Sequence, residues 1–410
     1  MQRIIEKIRN VTFVKKLFYI AVIFSMVFYI YSIPAFSSRG PLKYITYGMA
    51  GILLVSVFLY NVLYKKPVFH KFFIPIVFFC LYALIGTVMY SQEYRRWFTL
   101  ILMFGTFLSF FYGSQIIDNK RTVLKIVVCA FLMFSLHFGF HYRGILLKFS
   151  FSDMRLGNDF DNVNLIGFYF SIACTISLFL GLLPEKKREL VYLIPAFIFF
   201  VLGITTGSRS FLIVMAMSVF VTLFVKLRKR IIVFILLSVF VVILFVFLVN
   251  KLPFLKEQFQ RAVYTVFGIG NSKVDTSTVQ RIVWGQYAFD LGSRNIIFGY
   301  GVHGFSKISG LGTYAHNNFF EVMCDFGMVG FIAFYCFLFI PFIKGIKSGN
   351  NEMYLPLIIV TIFMIRSFFG VIYYSKDTYF IMGICYYFVS NRKGSIFNRF
   401  NFDSFSEVTI

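Results

Sequence analysis

Two histidines, His303 and His316, fall in one glycine-rich stretch, YGVHGFSKISGLGTYAHNNFFEVMCDFGMVG, from Tyr300 to Gly330. The stretch follows the longest polar interval of the chain and runs straight into an apolar segment. An imidazole exchanges a proton near neutral pH, so His316 is a candidate general base. The competing reading puts His316 at a helix start, with Asn317 as the N-cap. His303 lies among Gly299, Gly301 and Gly304, which read as turn residues, and it is a candidate for substrate binding only. Glu321 and Asp325 are spaced i,i+4 just beyond, so they share a helix face, where they would orient arginines or line a wet cavity.

Arginine supplies the second chemistry. Its rigid, permanently charged fork matches phosphate oxygens, and two or three forks aimed at one diphosphate would stabilise it as a leaving group without a metal. Candidates cluster in four places: Arg155 with Asn158, Asn162 and Asn164; Thr205–Ser210 with Ser208 and Arg209; Gln280-Arg281 with Trp284; and His316-Asn317. A single arginine beside a membrane is more often an interfacial anchor, so the argument rests on the clusters sharing one side. Asp159 and Asp161 form D-F-D among asparagines, a weak cation motif. Arg366, inside an apolar run, is expected to snorkel or pair.

These residues need a scaffold. The chain has 410 residues, 59% of them hydrophobic and 21% aromatic, with mean hydropathy +0.79. Long apolar runs recur from end to end, which a soluble domain has no use for. Backbone groups in lipid must be satisfied internally, so the runs are helices, and the alternation of a membrane barrel is absent. Spans are expected near 17–36, 44–64, 72–91, 97–117, 122–141, 162–183, 190–206, 209–225, 231–249, 317–343, 353–373 and 376–390, about twelve in one membrane domain over 1–410. A large loop, 250–316, separates the ninth from the tenth. Within it, Pro253–Phe267 has the apolar and basic faces of an interfacial helix. The first run lacks a cleavage site and reads as a retained anchor.

The net charge of +23 would suggest nucleic acid in a soluble protein, but here membrane topology accounts for it. With the N-terminus cytoplasmic, counting spans puts Lys65–Lys71, Lys120-Arg121, Lys186–Arg188, Lys226–Arg230, Lys344–Lys347 and the tail with Arg392-Lys393 all on the cytoplasmic side. The four candidate clusters fall on the other side. Cys80, Cys129, Cys174, Cys324, Cys336 and Cys385 lie in apolar runs with no CxxC pair, so neither a disulfide framework nor a zinc site is indicated. There is no P-loop and no GxGxxG, and no cofactor is expected.

The residues 150–345 resemble the O-antigen ligase and polymerase superfamily of bacterial surface polysaccharides. His316-Asn317, nine residues, then Gly327-Met328-Val329-Gly330 follow the spacing of its ligase motif. FGYGVHGF, TGSRS and RLGNDFDNVNLIGFYF are similar to its loop, its arginine turn and its asparagine segment, with Val163 in place of the usual proline and Ile213 where an arginine-x3-leucine pattern has leucine. The resemblance implies a C-type membrane glycosyltransferase of the cytoplasmic (inner) membrane that needs neither metal nor nucleotide. Its donor would be an undecaprenyl-diphosphate-linked oligosaccharide and its acceptor a glycan hydroxyl at the outer face. Arg209 and Arg281 would hold the diphosphate and His316 would activate or orient the acceptor, with Arg155, Asn158, Asn164, Ser208, His303, Asn317 and Glu321 around the substrate. A flippase and a chain-length regulator are the implied partners.

Within that resemblance the preferred reading is a polymerase of O-antigen or capsule repeat units. The alternatives are a ligase acting on lipid A-core and, from another class, a transporter of lipid-linked glycan. A transporter binds substrate near the bilayer midplane, whereas the polar clusters here gather at one face. The charge distribution predicts that a cysteine at Ser272→Cys is labelled from outside the cell and one at Ser395→Cys is not; the reverse pattern contradicts the assignment of sides.

Overall fold

The computed structural model describes residues 12–36, 40–64, 70–90, 94–146, 155–251, 256, 260, 276–348 and 351–390. Among them every regular element is helical: α1 (Thr12–Phe36), α2 (Lys43–Tyr64), α3 (Ile74–Met89), α4 (Tyr94–Ile117), α5 (Lys120–His141), α6 (Val163–Leu182), α7 (Leu193–Thr205), α8 (Arg209–Leu227), α9 (Ile231–Lys251), α10 (Thr276–Arg294), α11 (Asn318–Ser348), α12 (Tyr354–Ser367) and α13 (Lys376–Val389), with short single turns between some of them. Nine helices among the described residues are long and apolar enough to cross a membrane. Large apolar side chains such as Phe24, Phe58, Ile85 and Phe197 face outward, as a lipid solvent favours. The interfacial helix expected at Pro253–Phe267 lies outside the described residues, apart from 256 and 260.

Two differences from the sequence reading bear on the site. The interval 250–316 is expected as loop, yet its middle holds α10, nineteen residues packed on α11. The run 353–373 is expected as one span, but α12 stops at Ser367. The Arg366 carbonyl accepts from both Phe369 N and Gly370 N, which closes the last turn and sends 368–375 back across the end of the bundle.

The centre of the bundle is α6: 83% of its apolar window is buried, against 33% for α2 and for α7. Glycine lets neighbours close on it. A Cβ at Gly167 would stand 2.7 Å from the Ser208 Cβ, so the 205–210 turn can press against α6 only while residue 167 has no side chain. Elsewhere aromatic residues fill the core, Phe107 meeting Tyr386 edge to face at 5.2 Å and Phe73 meeting Phe111 at 4.8 Å. At the end of the bundle holding the start of α5, Arg121 binds Glu189 at 2.7 Å and Lys125 binds the same carboxylate at 2.9 Å.

Helix α11 is broken. Gly327 has φ 59° and ψ −166°, which no helix tolerates. The break frees peptide groups, and the segment before the loop takes them up: Tyr300 N donates to Cys324 O at 3.0 Å, Gly301 N to Asp325 O at 2.6 Å and Met328 N to Ile296 O at 2.6 Å. A Cβ at Gly327 would overlap the Ile297 carbonyl. Both the backbone angle and the contact demand glycine. Gly327→Ala is therefore expected to cost more than about 3 kcal/mol, seen as loss of monodisperse protein after detergent extraction; a variant with wild-type yield and melting temperature contradicts this account of the break.

Candidate active site

A cavity of about 550 Å³ opens where the starts of α6, α8 and α13 meet the end of α12. Asp161 and Asn162 line it from the turn before α6, Asn164, Phe168 and Tyr169 from α6, Ser210 from α8 and Arg281 from α10. Tyr314 and His316 close it from the loop, and Arg366, Gly370, Tyr374, Ser375 and Lys376 from the α12–α13 junction. The basic cluster Lys226–Arg230 lies at the opposite end of α8, roughly 25–30 Å away at a helical rise of about 1.5 Å per residue.

Arg281 reaches the cavity because of the face it occupies. Along α10, Gly285, Ala288 and Gly292 continue the stripe that starts at Arg281, and they face α11: a Cβ on Gly292 would touch the Cys324 backbone at 3.1 Å, and one on Gly285 would lie 3.5 Å from the Phe320 ring. Ala288, Leu291, Phe305, Ala315 and Cys324 form the small core there. The small residues bring α10 close to α11, and the same stripe, one turn earlier, carries Arg281 to the cavity wall.

His316 is held on all sides. Its ring stacks on Trp284 at 5.5 Å and lies 4.1 Å from the Tyr314 ring. Its backbone is left-handed at φ 57°. One residue earlier, Ala315 N donates to Glu321 Oε2 at 2.5 Å. One residue later, Asn317 Oδ1 accepts from Phe319 N at 3.0 Å and Phe320 N at 3.2 Å, making Asn317 the N-cap of α11. Burial, then the Arg281 guanidinium, push the imidazole down to about 4, so His316 is neutral at pH 7 and able to accept a proton.

The other candidates are placed as follows. Ser208 is the N-cap of α8 and donates to Asn164 Oδ1 at 3.2 Å, which ties the arginine turn to the cavity wall. Arg209 opens α8 beside Ser210; its side chain lies outside the described residues. Arg155 and Asn158 are exposed on the turn before α6 and do not line the cavity. His303 also lies off the cavity, packed on the Tyr374 ring at 4.4 Å and lowered to about 4 by burial, then by Arg96. Glu321 and Asp325 turn to the loop backbone, with Arg96 among the charges acting on Asp325. Both are fully buried, and Asp325 accepts from Phe305 N at 2.8 Å and from the Tyr373 hydroxyl at 2.5 Å. The D-F-D pair separates: Asp159 accepts from the Tyr142 hydroxyl at 2.8 Å, whereas Asp161 turns to the cavity.

Sequence reasoning gave too little weight to Arg366 and passed over Lys376 and Asn318. Asn318 Oδ1 accepts from Ile372 N at 2.8 Å and Tyr373 N at 3.1 Å, fastening the α12–α13 junction to the start of α11. Arg366 could have been found, since a charge inside an apolar run is costly enough to mark a site.

His303 and His316 both titrate near 4 in the folded chain, against about 6.5 when unfolded. Between those values the unfolded chain binds more protons, so the stability they lend is full above about pH 6.5 and is lost as pH falls toward 4. Melting in detergent is expected to drop from pH 7.5 to pH 5, and to drop less in the double variant His303→Asn/His316→Asn, since Asn tolerates the left-handed backbone. An equal drop in both proteins contradicts the assignment.

His316 and Arg281 of the cavity fall within the segment that the comparisons match. Residues 194–335 match the family model Wzy_C, described as O-antigen ligase. No curated protein matches the chain. The match covers α7 to α10 and the loop through the first half of α11, and it gives no support to the transporter alternative. The domain at residues 194–335 supports the O-antigen ligase/polymerase superfamily, in a chain whose described residues include nine helices long and apolar enough to cross a membrane.

Proposed function

We propose that the protein transfers glycan from undecaprenyl diphosphate to an acceptor sugar hydroxyl at the outer face of the cytoplasmic membrane, and that it does so to join repeat units of a surface polysaccharide. What supports this reading is that Arg281 and a neutral His316 share one cavity at the end of the bundle away from Lys226–Arg230. The acceptor oxygen attacks the anomeric carbon and its proton passes to the His316 imidazole. The bond from that carbon to the phosphate oxygen breaks, and its electron pair leaves with the lipid diphosphate. Charge grows on the diphosphate as the bond breaks, so an arginine fixed beside it favours the transition state over the ground state. Arg209, at the start of α8 next to the cavity residue Ser210, takes the same role. No metal is assigned to the step.

The donor also tunes the base. Arg281 is one of the two causes that depress His316. A diphosphate against Arg281 offsets that charge, so the imidazole becomes a better proton acceptor once donor is bound. A second reading, the ligase that moves finished glycan onto lipid A-core, is favoured by the description of the matched family as O-antigen ligase. It differs in acceptor and shares the chemistry.

His316→Asn keeps the left-handed backbone and removes the base, so turnover is expected to fall by about 10²–10⁴ with donor binding little changed. Arg281→Ala is expected to lower both turnover and donor affinity, and Arg281→Lys to recover little, because the fork is lost. Donor affinity measured beside turnover for the three variants decides. Near-normal turnover of His316→Asn would make the histidine a loop residue only.

A further inference from the structure

Arg366 stands in the last turn of α12, beyond the segment that matches the family model. Its guanidinium is fixed from three directions. It lies 3.8 Å over the Phe168 ring, Nη1 donates to Asp377 Oδ2, and Nη2 donates to Ser375 Oγ at 3.3 Å. The Ser375 hydroxyl donates in turn to the other oxygen of Asp377. Asp377 is fully buried, and the small exposed part of Arg366 opens on the cavity it lines.

An arginine at a helix end that needed only solvation would reach out to headgroups and water. This one is turned inward, beside a desolvated carboxylate. Such a pair adds little net stability over an apolar pair of similar size, because desolvation of both ions offsets their attraction. What the arrangement does provide is a fork whose rotamer is set in advance, with N–H groups left over for the cavity. That is the property a site for a charged leaving group needs.

We propose that Arg366 is a further diphosphate-binding arginine of this cavity, contacting the phosphate oxygens of the lipid donor from the α12–α13 wall. Asp377 and Ser375 are its positioning residues. Lys376, the next cavity residue, adds positive charge at the same wall. The inference rests on the transfer reaction proposed above.

The test uses the full-length protein in detergent and undecaprenyl diphosphate as the probe. Binding is measured for the wild type, Arg281→Ala, Arg366→Lys and the neutral double variant Arg366→Gln/Asp377→Asn, with melting temperatures alongside. The double variant leaves no buried charge unpaired, and Arg366→Lys keeps a cation for Asp377. Both are expected to melt like the wild type and to bind the probe at least about tenfold more weakly. Binding within twofold of the wild type in either folded variant overturns the proposal and makes the pair a staple between α12 and α13. Failure of Arg366→Lys to fold overturns it as well; if only the double variant fails to fold, Arg366→Lys decides. Wild-type protein that does not bind the probe sinks the transfer reading itself. Probe binding that depends on Arg281 and not on Arg366 sinks this inference alone.

Discussion

At Gly327 the backbone of α11 leaves the helical region, and peptide groups of Cys324, Asp325 and Met328 pair with the 296–301 segment. Every feature of the loop follows from that exchange. The segment before His303 is laid against the helix as its backbone partner. The two carboxylates of the same helix, Glu321 and Asp325, then take the N–H groups of Ala315 and Phe305. The loop is thus fastened at its start, at its first turn and immediately before His316. Each of these hydrogen bonds contributes roughly 0.5–1.5 kcal/mol net. The nine residues between Asn317 and Gly327 set how far the break lies from the cap, and so where the loop can dock.

The loop brings a neutral imidazole to a wall rich in cations. Arg281, Arg366 and Lys376 line the cavity, while Asp377 offsets Arg366 and Asp161 adds one carboxylate. An anionic ligand completes this balance, and in a site walled by α6, α8, α12 and α13 its charge is felt more strongly than in water. The histidine is sheltered by Trp284 and Tyr314. Its proton affinity is therefore governed by what occupies the cavity more than by bulk pH.

Much of this was legible in the residues. Apolar runs required a helical membrane bundle, and the H-N-x9-G spacing of the resembled family singled out His316, which lines the cavity. Asn317 as N-cap followed from its position alone. Contacts that no local pattern encodes were out of reach. Glu321 and Asp325 were expected to serve arginines or water, because i,i+4 spacing gives a shared face but not its partner; they serve backbone N–H groups of a loop instead. His303 resembles His316 in sequence context and in its φ of 57°, yet it packs on Tyr374 away from the cavity. Arg366 was expected to snorkel or pair, and it pairs; its partner Asp377 was out of reach because it lies across the turn that separates α12 from α13.

The account stands on one placement: the diphosphate of the lipid donor lies in the cavity against Arg281, within reach of the sugar carbon that a hydroxyl activated by His316 would attack. A structure of the full-length protein with bound undecaprenyl diphosphate measures it directly. The account predicts phosphate oxygens at hydrogen-bond distance, about 2.7–3.0 Å, from the Arg281 guanidinium, with the terminal phosphate turned toward His316. A diphosphate bound elsewhere on the protein, with the cavity holding no phosphate, would contradict it.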